Sequence, residues 1–161
     1  KIKLKFELSM LLASLFISIL LFFLVDLFTI SYRGNGIVSG NGNLGLLFVI
    51  PAIPVYLLMV IFLFKVSRLL LRNIKSLAVV SFVLLFLLVG CFYGEYRMTH
   101  SLLNHLGGGP NSSKSIIYNW PLLNQYTNTL FFNFYTFSMG VFITWMIRIG
   151  VEFYKRRKKT N

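Results

Sequence analysis

From Leu8 to Val25 the chain reads LSMLLASLFISILLFFLV, eighteen residues without a single charge. A helix rises 1.5 Å per residue, so this run, continued through Ile30, is long enough to cross the ~30 Å hydrocarbon core of a bilayer. Comparable runs recur at about 46–64, 76–94 and 127–149. Within lipid a backbone must satisfy its own polar groups, and for runs of this length the helix is the way to do so. The sequence therefore predicts an all-α integral membrane protein with four transmembrane helices, a single domain over residues 1–161 with spans near 8–30, 46–64, 76–94 and 127–149. Composition agrees. The chain is 57% hydrophobic and 12% charged, with a mean hydropathy of +0.75, more apolar than one soluble core of this size requires.

The formal net charge is +12, from 16 basic and 4 acidic residues. In a soluble protein such an excess points to nucleic acid. Here the cations cluster at the ends of the apolar runs, so no nucleic-acid partner is expected. One set of span ends holds Lys1, Lys3 and Lys5, then Lys65, Arg68, Arg72 and Lys75, then Arg148 and the tail Lys155-Arg-Arg-Lys-Lys159. The opposite connectors hold only Arg33, Arg97 and Lys114. By the positive-inside rule both termini are expected in the cytoplasm of a multi-pass cell-membrane protein, with residues 95–126 extracytoplasmic. Lys65, Arg68, Arg72 and Lys75 recur at spacings of 3, 4 and 3 and share one helical face. That face, with Lys155, Arg156 and Arg157, is expected to meet anionic lipid headgroups. The basic N-terminus before an apolar run resembles a signal peptide, but the run is long and no small-x-small cleavage site follows, so it reads as an uncleaved span. The abundance of Lys, Asn, Ile and Phe fits an AT-rich bacterial genome.

The connectors carry little chemistry. Gly34, Gly36, Gly40, Gly42 and Gly45 alternate with Asn35, Asn41 and Asn43. The lysine and hydroxyl of a phosphate-binding loop are missing, so this stretch reads as a flexible turn. Pro51 and Pro54 suggest that the regular second helix starts at Pro51, with 44–50 irregular or kinked. Gly90 and Gly94 form a GxxxG match that lets two helices approach closely. Cys91, the lone cysteine, excludes an intrachain disulfide and reads as a small buried hydrophobe.

Two polar stripes stand out. Ser14, Ser18, Phe22 and Asp26 repeat at i, i+4 and should face protein rather than lipid. Thr129, Asn133, Thr136, Gly140 and Thr144 repeat at 4, 3, 4 and 4, and Arg148 with Glu152 extends the stripe as an i, i+4 ion pair. Asp26 is costly near the membrane, by about 2.5 kcal/mol or more at a helix centre, and wants Arg33, Arg97 or a hydroxyl as partner. Glu95 is expected at similar height, near Arg97 and Lys114. Asn133 is placed to hydrogen-bond across helices, and Tyr118, Trp120 and Tyr126 fit an interfacial aromatic belt.

His100 and His105 are five apart, off a common helical face, and no HExxH is present. No catalytic set, metal or cofactor is assigned. The polar and ionisable candidates are Asp26, Glu95, His100, His105 and Asn133; the packing candidates are Gly90, Gly94, Thr136, Gly140 and Thr144. The leading expectation is a non-catalytic accessory or regulatory subunit that binds a larger membrane partner, or a second copy of itself, through small and polar helix faces. An oligomeric transporter or channel component lined by Asp26, Asn133 and Thr136 is an alternative. Another is a membrane enzyme acting on lipid-linked substrates at the outer leaflet, with Asp26, Glu95 and His100.

Overall fold

The protein is described by a computed structural model covering residues 2–32, 42–72, 74 and 76–160. Arg33, most of the glycine-asparagine loop and Lys75 lie outside the described residues. Among the described residues there are four helices long and apolar enough to span a membrane: α1 (Ile2–Leu27), α2 (Leu46–Arg72), α3 (Leu77–His105) and α4 (Phe134–Thr160). α1 packs along α2, α2 along α4, and α4 along α3. The α1/α3 side has no comparable contact, so the bundle is a ring with one open seam. One end carries the start of α1, the end of α4 and residues 74 and 76 between α2 and α3; we call it the basic end. The other carries residues 28–32, 42–45 and the long segment 106–133; we call it the cap end.

Most large apolar side chains point outward. Phe82 and Phe86 on α3 are 72% and 74% exposed, and Phe16 on α1 is 70% exposed. A water-soluble monomer does not present apolar surface on this scale, whereas acyl chains solvate it well. Inside, three small clusters hold the bundle. Val25, Val49, Ala52 and Phe132 join α1, α2 and the cap. Leu71, Leu77 and Ile149 join α2, α3 and α4 at the basic end. Leu106, Ile117 and Tyr126 form the core of the cap itself, against Ile30 and Tyr32. Between the ends, Phe22 packs against Tyr56, Phe132 and Phe137 with ring centroids 5.2–5.4 Å apart. The Tyr56 hydroxyl donates to the Phe137 carbonyl at 2.7 Å. Gly140 makes this possible, since a Cβ there would sit 2.0 Å from the Tyr56 oxygen.

Several helix limits differ from the sequence expectation, each for a local reason. α2 starts at Leu46, a turn before Pro51, because the 43–45 turn supplies its first carbonyls: Leu46 N–H donates to Asn43 O and Val49 N–H to Gly45 O. The prolines lie inside the helix and remove only the bonds to Leu47 and Ile50, both two-thirds exposed. α3 continues to His105, well past residue 94. Its stop is a Schellman ending, in which Gly107 takes φ +81°, its N–H donates to Asn104 O, and Gly108 N–H donates to Leu103 O. α4 starts at Phe134, not Thr127. Residues 128–130 form a 3₁₀ turn instead, and Asn133 caps the helix. α1 starts at Ile2 and so brings Glu7 inside the first helix.

Candidate functional site

The cap is built on a polar run. Asn124 through Leu130, NQYTNTL, is buried residue by residue. A buried polar run persists only if its groups are paired, and here they are. Asn124 Oδ1 accepts from Tyr126 N–H at 2.9 Å, and its Nδ2 donates to Pro121 O at 2.8 Å. Ile30 N–H donates to Gln125 O at 2.7 Å, and the Thr127 hydroxyl donates to Leu122 O. Asn128, wholly buried, exchanges two side-chain bonds with Asn43, at 3.0 and 2.6 Å. Gly45 lies against that amide, where a Cβ would come 2.4 Å from Asn128 Nδ2. The amide pair thus fastens the α2 start to the 3₁₀ turn before α4.

Asn133 is the second node. Its Oδ1 accepts from Tyr135 N–H (2.7 Å) and Thr136 N–H (3.0 Å), while its own N–H donates to Thr136 Oγ1 at 3.1 Å. This is a reciprocal N-cap. Its Nδ2 donates to Glu95 Oε2 at 2.8 Å and to Thr129 O at 2.7 Å. Glu95 therefore sits near the positive end of the α4 dipole. Its other oxygen accepts from Thr99 at 3.3 Å. Its partners are an amide and a hydroxyl, rather than the expected Arg97 or Lys114. Directly beneath, Tyr135 covers Gly94, where a Cβ would sit 2.3 Å from the ring.

Asp26 behaves differently. It is exposed and makes no ion pair or side-chain hydrogen bond with the described residues. It lines a cavity of about 610 Å³ that runs along α1 and α4 beside the open seam, with Phe22, Phe23, Phe134, Phe137, Val141 and Asn133 among its walls. It also lines a second, more polar cavity of about 290 Å³ with Thr29, Ser31, Tyr32, His105 and Thr129. His105 and Thr129 continue into a third cavity, which includes Ser101 and Asn104. Asp26 thus lines both an apolar slot and a more polar vestibule under the cap.

The other sequence candidates disperse. His105 Nε2 lies 2.7 Å from Tyr32 O, a contact that places the proton on that nitrogen. His100 lies apart on α3, with Nδ1 3.1 Å from Asn104 Nδ2 and its ring against Tyr96. Among the described residues no three His, Cys, Asp or Glu side chains come together as a metal site. Asp26 and His105 share a cavity but are not bonded to one another, and no serine is paired with either. Gly90 faces open space; of the GxxxG pair only Gly94 meets a neighbouring helix. Ser14, Ser18 and Thr144 are buried in the bundle, and Thr136 serves the α4 cap.

At the basic end, Arg68 pairs at 3.4 Å with Glu7, a buried acid that the sequence reading passed over. Arg156 donates to Leu71 O at 2.9 Å and Ile74 O at 3.0 Å, capping the end of α2. Arg148 pairs with Glu152 as its spacing suggested, and its guanidinium lies 5.1 Å from the Phe64 ring centroid. Lys155 is 3.9 Å from Glu152, Lys65 lies over Phe62, and Arg157 is exposed. α2 includes Arg72, whose side chain lies outside the described residues.

Fold and site together describe an all-helical protein with four helices long and apolar enough to span a membrane and two cavities that share Asp26 beside the open seam. No known protein family, curated protein or solved structure matches the chain.

Proposed function

We propose that this is a non-catalytic membrane protein that binds a single membrane amphiphile, with the apolar tail in the α1/α4 slot and the headgroup in the vestibule at Asp26. The observation that carries this reading is the shared wall. One acidic residue lines both a 610 Å³ apolar cavity and a more polar one of 290 Å³, beside a seam through which a lipid-borne ligand can enter sideways. Sites for small ligands have this volume and this mixture of apolar walls with a few polar groups. The orientation proposed with it places the basic end in the cytoplasm, on the distribution of cations. The vestibule then opens at the outer leaflet.

A larger membrane partner remains the second reading, and the open seam favours it. The faces first considered for that contact, at Ser14, Ser18, Gly140 and Thr144, are occupied within the chain, so a partner would have to use the seam. Equilibrium binding of radiolabelled hexadecanol to the full chain in a short-chain non-ionic detergent tests the amphiphile reading. One saturable site is expected, weakened at least tenfold by Ile19→Trp or Val141→Trp, which fill the slot from two helices. Non-saturable uptake, or saturable uptake indifferent to both variants, rejects it.

A further inference from the structure

The four acidic residues are not equivalent. Glu7 is paired with Arg68 and Glu152 with Arg148. Glu95 is held by the Asn133 amide and the Thr99 hydroxyl. Asp26 is the one acid with neither a cation nor a hydrogen-bond donor among the described residues. It lines both the slot and the vestibule, and among the described residues no lysine or arginine lines either cavity. In a chain of net charge +12, a site for an anionic headgroup would be expected to draw on those cations, yet the described walls omit them. A neighbouring hydroxyl adds to this. Thr29 Oγ1 spends its proton on Val25 O at 2.6 Å, so it offers the vestibule a lone pair. An ammonium group has donors and no acceptor, and a carboxylate beside an acceptor-only hydroxyl complements it.

We infer that the cavity selects amphiphiles with an ammonium headgroup and that Asp26 is the residue that selects the charge. This rests on the amphiphile-binding reading above and names its ligand class. Asp26 then has no counter-charge among the described residues because that charge arrives with the ligand.

The test compares hexadecylamine, hexadecanol and hexadecyl sulfate, which share a tail, on the full chain and on Asp26→Asn. In the native chain the amine is expected to bind at least tenfold more tightly than the alcohol, as a charge-assisted hydrogen bond would give, and the sulfate more weakly than the alcohol. In Asp26→Asn the preference for the amine over the alcohol should disappear. Saturable alcohol binding without amine preference, or a preference that survives Asp26→Asn, overturns the charge assignment and leaves the groove standing. Failure of all three probes to bind overturns both. A photocrosslinker at Ile19 in native membranes separates ligand sources. A lipid-sized adduct lost in Asp26→Asn supports the inference, and a polypeptide adduct lost in that variant overturns it in favour of a partner helix.

Discussion

The two ends of the bundle handle buried polarity in opposite ways. At the basic end charges neutralise one another: Glu7 meets Arg68, Glu152 meets Arg148, and Arg156 closes the carbonyls left by α2. At the cap end neutral amides do that work, with Asn43 on Asn128 and Asn133 on Glu95 and the α4 amino terminus. Asp26 is the one described acid that stands outside both schemes. The contrast suggests a division of labour in which ion pairs and carbonyl caps fix one end, while at the other no cation among the described residues lines the cavities at Asp26. A fixed cation near Asp26 would occupy the charge that we assign to ligand recognition.

The comparison can be broken at several points. The largest effect is expected at Gly94. Gly94→Leu must displace the Tyr135 ring and with it the Asn133 cap, and should cost about 3 kcal/mol or more in thermal or denaturant unfolding in detergent. Gly90→Leu, four residues away and facing open space, should change the same measurement little. Equal losses at the two glycines would show that the cap end does not depend on this contact. Arg68→Met comes next. It leaves the buried Glu7 carboxylate without its partner, and since Arg68 is itself half exposed the cost should be about 1–3 kcal/mol. Adding Glu7→Gln should restore most of the loss, and a double variant no better than the single would refute the pairing as the cause. The smallest stability effect is expected at Asp26. Asp26→Asn removes no contact with the described residues and should shift unfolding by no more than about 0.5 kcal/mol. A larger destabilisation would return Asp26 to a structural role.

Part of this was legible in the residues. The apolar runs named four helices, and the Ser14/Ser18/Phe22/Asp26 repeat correctly described a face whose first three members turn inward. The i, i+4 spacing of Arg148 and Glu152 gave their ion pair. Asn133 was marked as a cross-helix donor and does reach Glu95. Its capping role was also readable, since an Asn followed three residues later by Thr136 at the head of an apolar run is a helix-start signal. Hydropathy concealed it, because it extended the fourth span back to Thr127. The same habit ended the third span at residue 94, though the signal that stops a helix there is Gly107.

The sequence alone determined that the chain forms four helices long and apolar enough to span a membrane, because the length of an apolar run is a local quantity that one chain displays openly. Tertiary structure decided which polar groups meet. Asn43 and Asn128 are 85 positions apart and Glu7 and Arg68 are 61 apart, and no periodicity within one helix relates such pairs. It also decided that Tyr126 is buried with the rest of NQYTNTL while Tyr118 and Trp120, the other aromatics of the expected belt, stay exposed, since Asn, Thr and Tyr suit water and interior alike and only the partners available to them choose between the two. Above all it decided that α1 and α3 stay apart, and that separation is what turns a conspicuous aspartate into one wall of a cavity.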